Sequence, residues 1–162
     1  MRLRKRLFRG YRELRRRLLG IPRPGSVAWG DLRRLEPISR DFGTDRGLPV
    51  DRYYIERFLS QNAGDVKGRV LEIGDRTYTV KYGEDRVTRS DVLHVKPGNP
   101  VATIVGDLTD APHIPDDEFD AIILTQTLQF IYDARAAIGT LHRILKPGGV
   151  LLATVCGIHQ RF

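Results

Sequence analysis

From residue 69 onward the chain alternates short apolar runs with turn signals and amphipathic stretches. The run in Arg69–Ile73 has the length of a buried strand, carries Glu72 near its end and is closed by Gly74. A short, poor helix or turn over Asp75–Gly83 leads to a second strand that ends near Ser90–Asp91. A third strand is expected at Val101–Val105, closed by Gly106–Asp107, and a fourth at Phe119–Leu124 after the Pro/Asp loop of Asp110–Glu118. Leu128–Ile131 and Ala134–Leu145 read as helix, Lys146–Gly149 as a stop signal and Val150–Val155 as a fifth strand. Alternating strands and helices predict a parallel sheet covered on both faces, an α/β Rossmann-like domain.

Upstream the period changes. Tyr54, Ile55, Phe58 and Leu59 fall on one face of a helix that starts near Asp51 and is ended by Gly64 and Gly68. Residues 21–50 are irregular, with four prolines and four glycines, and read as a linker or an ordered lid around Trp29 and Phe42. Residues 2–19 read as a helix with Leu3, Leu7, Tyr11, Leu14 and Leu18 on one face and arginines on the other. The expected organisation is a basic amphipathic helix over 1–20, a linker or lid over 21–50 and a Rossmann-like domain over 51–162.

Charge sharpens that division. Residues 1–40 hold 13 Lys/Arg and 3 acids, net +10, whereas the remainder holds 14 basic and 17 acidic residues, net −3. An argument from charge to an anionic partner is therefore confined to the arm. Three readings of the arm stay open: a helix packing its leucine face on the domain or a partner protein, a peripheral anchor on anionic membrane, and RNA binding. Nucleic acid is the least favoured, because only Phe8 and Tyr11 offer stacking surfaces there.

No apolar run approaches the roughly 20 residues of a membrane span, and no apolar segment of a secretory signal follows the basic start. The arm loosely resembles an organelle presequence but is poor in serine. The lone Cys156 excludes an internal disulfide and suits a reducing compartment, so a cytoplasmic or membrane-peripheral location is expected. The histidines at 94, 113, 142 and 159 show no metal-ligand spacing.

In an open parallel sheet of order 3-2-1-4-5, ligand sits at the carboxyl ends of the strands where strand order reverses. The candidates are therefore Gly74, Asp75 and Arg76 after the first strand and Asp91 at the tip of the second, 17 residues beyond Gly74. Asp107 follows the third strand, and Thr125, Gln126 and Thr127 follow the fourth. An acid at the second strand's tip can accept both ribose hydroxyls of a nucleotide. Asp91 and Asp107 equally suit plain turn caps. His159, four residues past the fifth strand, is the candidate general base, with a tail histidine of no role as its alternative. His94 and His113 read as structural, and His142 as a helix residue that faces solvent or caps a turn.

Three stretches, VLEIG (Val70–Gly74), GDLTDAPHIPDDEFDAIILTQTLQFIYD (Gly106–Asp133) and LHRILKPGGVLLATV (Leu141–Val155), carry a family resemblance. Over Gly68–Val155 the chain resembles the class I S-adenosylmethionine-dependent methyltransferases that act on small molecules. That likeness implies S-adenosylmethionine as cofactor, with Glu72 and Gly74 at its methionine end and Asp91 on its ribose. It also implies Asp107 and Leu108 at the adenine and Gln126 on the far wall. Phe42–Leu59 looks like the cap that precedes the core in one bacterial subgroup, which points to a sugar or other small metabolite as acceptor.

The chain departs from the family in two ways. The family's loop reads acid-x-Gly-x-Gly-x-Gly, but here Gly74 is followed by Asp75, Arg76, Thr77 and Tyr78, whose side chains would have to replace close backbone approach. The family's sheet has seven strands, and this sequence ends after the fifth, as a truncated product would. That would leave Val150–Val155 as an apolar edge suited to a homodimer. The second functional class consistent with both departures is a catalytically inactive module docked through the arm. A dehydrogenase-type nucleotide binder fails on the absent G-x-G-x-x-G.

Overall fold

The computed structural model describes residues 44–156 continuously, together with positions 18, 19, 30, 35–37 and 39–41. The chain divides into two compact units, residues 1–46 and 47–162. In the first unit the described part is a turn, in which the Thr44 backbone N–H and hydroxyl donate to the Asp41 carbonyl at 3.0 and 2.7 Å. Residues 2–17 of the helix expected over 2–19, just over half of the irregular stretch after it, and His159 lie outside the described residues.

The second unit runs α1 (Val50–Gln61), β1 (Gly68–Ile73), α2 (Thr77–Gly83), β2 (Val87–His94), β3 (Ile104–Val105), β4 (Phe119–Thr125), α3 (Ala134–Ile144) and β5 (Leu145–Thr154). The five strands form a parallel sheet of order β3-β2-β1-β4-β5, as the alternation implied. Side chains alternate between the two faces of a strand. Leu71, Leu93, Ile122 and Leu124 accordingly pack one face against Ala137, Leu141 and Ile144 of α3. Val70, Ala121, Ile123 and Leu152 pack the other against Ile55 and Leu59 of α1 and Tyr78 and Tyr82 of α2. Burial on both faces explains the near-continuous apolar run of β4.

Three boundaries differ from those read along the chain. β2 runs on to His94, because Arg89, Ser90 and Asp91 pair with Arg69, Val70 and Leu71 of β1 instead of ending the strand. Only Ile104–Val105 of the expected third strand pairs with β2, since Asn99–Ala102 forms a turn. β5 begins at Leu145, directly after α3, and Lys146–Gly149 form an irregularity between the pairings Phe119–Leu145 and Ala121–Val150. Leu128–Phe130 is a single 3-10 turn, shorter than the helix expected there. No described helix is long and apolar enough to cross a membrane.

Asp120 of β4 stitches three strands together. Its carboxylate accepts the Arg69 backbone N–H of β1 at 2.7 Å and the Lys146 ammonium of β5 at 2.9 Å. These partners, the Arg69 N–H first, hold its pKa below the ordinary carboxylate value.

Candidate functional site

A pocket of about 600 Å³ opens at the carboxyl ends of β1 to β4, the place where a parallel sheet exposes its ligand site. Each wall is a strand end. The apolar run of β1 stops at Gly74, which turns with φ +88°, a conformation that glycine adopts without strain. Its N–H donates to the Leu93 carbonyl at 2.9 Å, and its carbonyl accepts from Asn99 Nδ2 at 2.7 Å. The first turn is thus clamped against β2 and the loop after it. A Cβ on Gly74 would meet nothing within 4 Å, so bare backbone faces open space.

β2 contributes Leu93, His94 and Val95 to the pocket. After β3, the Gly106 N–H donates to the His94 carbonyl at 3.1 Å. A Cβ on Gly106 would lie 2.7 Å from the His113 ring, so a side chain there would displace that imidazole. The Asp107 carboxylate accepts the backbone N–H of Thr109 at 2.9 Å and its hydroxyl at 2.8 Å. Both bonds, the backbone one foremost, lower its pKa, so the group is ionised at neutral pH. Leu108 is buried, and Thr127 with Phe130–Asp133 forms the wall beyond β4. Asp133 caps α3 by accepting the Ala136 N–H at 2.9 Å.

Of the residues expected at the site, Gly74, Asp107 and Leu108 come together here. Glu72 and Asp91 do not. Glu72 is buried within β1, and its carboxylate accepts the backbone N–H groups of Tyr78 (3.1 Å) and Thr79 (2.7 Å) and the Thr79 hydroxyl (2.8 Å). It therefore anchors the start of α2, where the glycine-rich loop would otherwise run. Burial pushes its pKa up to about 7 despite those donors.

Asp91 lies within β2, three residues short of its tip. Its buried carboxylate faces Arg69 Nε at 2.7 Å, Arg89 Nε at 3.2 Å and the Thr103 hydroxyl at 3.0 Å. It is an internal counter-ion rather than a pocket group. Asp75 is exposed and accepts the Thr77 N–H at 2.8 Å, outside the pocket lining.

Three pocket residues were not assigned to the site from sequence. His94 occupies the tip of β2, and the signal for it was the apolar pair Val92–Leu93 placed after Asp91. Phe130 and Tyr132, 82% and 106% exposed, were assigned to a helix and beyond it, yet they flank the pocket.

Gln126 faces a second hollow of about 710 Å³, bounded by α1 and the end of β5. Its backbone takes φ +49°, and its N–H donates to the Thr154 carbonyl at 2.9 Å. Its Oε1 accepts from Gln129 Nε2 at 2.8 Å and Cys156 Sγ at 2.9 Å. Val50, Tyr54, Phe58 and Val155 make most of the other surface apolar. Adjacent residues therefore serve the two spaces, Thr127 the first and Gln126 the second. A nucleoside-sized ligand in the first and a separate molecule in the second would approach each other across the end of β4.

A model of the methyltransferase domain family matches residues 59–153. The ubiquinone/menaquinone biosynthesis C-methyltransferase UbiE of Marinomonas sp. is 30% identical over 86 residues, which are 53% of this chain and 32% of that protein. A Mycolicibacterium smegmatis protein, named as a probable S-adenosylmethionine-dependent methyltransferase, is 28% identical over 90 residues, 56% of this chain and 30% of its own length. The chain thus spans about a third of the curated relatives it matches. Among solved structures, the N-methyltransferase NodS of Bradyrhizobium japonicum in complex with S-adenosyl-L-homocysteine aligns with a TM-score of 0.54 at 21% identity, covering 72% of this chain and 67% of that one. The YcgJ protein of Bacillus subtilis aligns with a TM-score of 0.50 at 21% identity, covering 62% and 50%. These two likenesses show the fold.

Proposed function

The chain belongs to the methyltransferase domain family, of the class I S-adenosylmethionine-dependent type, and from that membership we propose that it transfers a methyl group to a small-molecule acceptor. The cofactor of this family is S-adenosylmethionine. The observation that carries the reading is the convergence of Gly74, His94, Asp107 and Leu108 on one pocket at the strand ends, beside a second hollow.

The residues present suit that cofactor. Gly74 offers open backbone where the methionine end would lie. Leu108 offers an apolar surface for the adenine, and Asp107 stiffens the turn that carries it. S-adenosylmethionine, when bound, supplies a methyl group on a sulfonium that already carries its leaving group. The chain's task is then to hold the acceptor in line and exclude water. Positioning of that kind contributes on the order of 7–11 kcal/mol to a bimolecular reaction.

In the second hollow, Tyr54, Phe58, Val50 and Val155 favour an acceptor with an apolar face over a sugar. The arginine-rich arm, by charge alone, supports peripheral contact with an anionic membrane. Co-sedimentation with phosphatidylserine vesicles, abolished by deleting residues 1–20, tests that.

The primary test is titration calorimetry with S-adenosylhomocysteine. The wild-type chain is expected to bind, Phe130→Ala to weaken binding severalfold and Tyr54→Ala to leave it unchanged. A folded wild-type chain that takes up no ligand refutes the assignment.

A further inference from the structure

The pocket holds no carboxylate where a nucleotide-binding sheet ordinarily carries one. In such folds an acid about 20 residues after the first glycine turn, at the tip of the second strand, accepts the ribose hydroxyls. Twenty residues after Gly74 stands His94. The pairing gives the place: Ile73 lies beside Leu93, so Gly74 and His94 stand side by side at the strand ends. Asp91 cannot substitute. It sits three residues earlier, on the opposite face of the strand, and is engaged by Arg69, Arg89 and Thr103. The two acids that line the pocket are also engaged, Asp107 with Thr109 and Asp133 with the α3 backbone.

We propose that His94 is the residue that reads the ribose of the nucleoside bound in this pocket, a specificity determinant standing in for the usual carboxylate. The proposal rests on the pocket being the cofactor site. Its chemistry follows from the ring's other contact. His94 Nδ1 lies 2.7 Å from the Lys96 carbonyl, closer than the Lys96 N–H at 3.3 Å. We assign Nδ1 as the donor to the nearer Lys96 carbonyl, which leaves Nε2 as an acceptor. Nε2 has no hydrogen-bond partner among the described residues. A carboxylate accepts from both ribose hydroxyls, whereas one imidazole nitrogen accepts from one. The site therefore forgoes one charge-assisted hydrogen bond relative to a site built on an acid.

The test is calorimetry with two neutral probes, S-adenosylhomocysteine and its 2′,3′-dideoxyribose analogue, so that no sulfonium charge biases the result. Wild type is expected to bind the dideoxy analogue about tenfold more weakly than the parent. His94→Gln, which keeps one acceptor, retains that discrimination. His94→Phe binds both probes equally, at the affinity of the analogue. His94→Asp binds the parent about tenfold more tightly than wild type, close to 1.4 kcal/mol, and gains nothing on the analogue. Circular dichroism checks that each variant is folded. Discrimination that survives in His94→Phe overturns the proposal while leaving the cofactor site standing. Failure of every folded variant and of wild type to bind either probe overturns both.

Discussion

Glu72 shows how a single buried carboxylate sets a pH response. Burial raises its pKa from the ordinary 4.5 to about 7. The folded chain therefore holds this proton more tightly than the unfolded chain does. The resulting stability is fully present below about pH 4.5 and is lost as pH rises through about 7. The shift corresponds to something on the order of 3 kcal/mol. Glu72→Gln removes the titration, so its urea midpoint, compared with wild type at each pH, should lose less between pH 5 and 8. Parallel profiles for the two proteins would show that the group does not titrate in this range. Asp91 makes a different case, a buried acid held between two guanidinium groups. Asp91→Asn leaves Arg69 and Arg89 without their shared counter-ion and should cost about 2–3 kcal/mol in chemical denaturation, below the range for fully buried pairs because Arg89 reaches water and Arg69 keeps Glu118. Its affinity for S-adenosylhomocysteine should equal that of wild type, since the carboxylate lies outside the pocket.

Among the elements, β1 depends on its entry and its exit. Gly68 enters with φ +68°, and a Cβ there would lie 2.5 Å from the Asp120 Oδ2 that binds the next backbone N–H. Gly68→Ala should destabilise by at least about 1–2 kcal/mol from the left-handed backbone alone, plus the damage to the Asp120 bonds. A urea midpoint unchanged by that substitution would refute the assigned geometry. At its exit β1 hands over to α2, whose seven residues are too few to hold a helix in water. Glu72 at its start, the hydrogen bond from Arg52 to the Tyr78 hydroxyl, and the stacked rings of Tyr78 and Tyr82 supply what its length cannot. In place of a glycine-rich loop the chain thus has a side-chain anchor, and of the turn after β1 only Gly74 lines the pocket.

For the whole molecule, ligand binding and stability are linked, because a pocket built from four strand ends exists only in the folded chain. S-adenosylhomocysteine at 100 times its Kd should add about 2.7 kcal/mol and raise Tm by about 5–10 °C. Asp91→Asn should melt lower yet show the same ligand-induced rise, whereas Phe130→Ala should melt like wild type and show a smaller one. A differential scanning measurement that finds no rise in any variant contradicts the pocket assignment.

The arrangement of strands and helices was legible along the chain because it rests on local period. Apolar runs of strand length and the 3.6-residue face of α1 each need only neighbouring residues. Leu108 came only from the family resemblance, but Gly74 and Asp107 were legible for the same reason, since Gly74 directly follows an apolar run and Asp107 lies one glycine beyond another. Glu72, Asp91 and His94 were not. Whether a carboxylate faces a pocket or a guanidinium depends on partners 12–22 residues distant, such as Arg69 and Thr103 for Asp91. β2 is half polar, so its period did not show where it ended, and its pairing with β1 carried His94 rather than Asp91 to the tip. Strand ends follow from local hydrophobicity. The residue that fills a site at those ends follows from register, a property of two strands that neither carries alone.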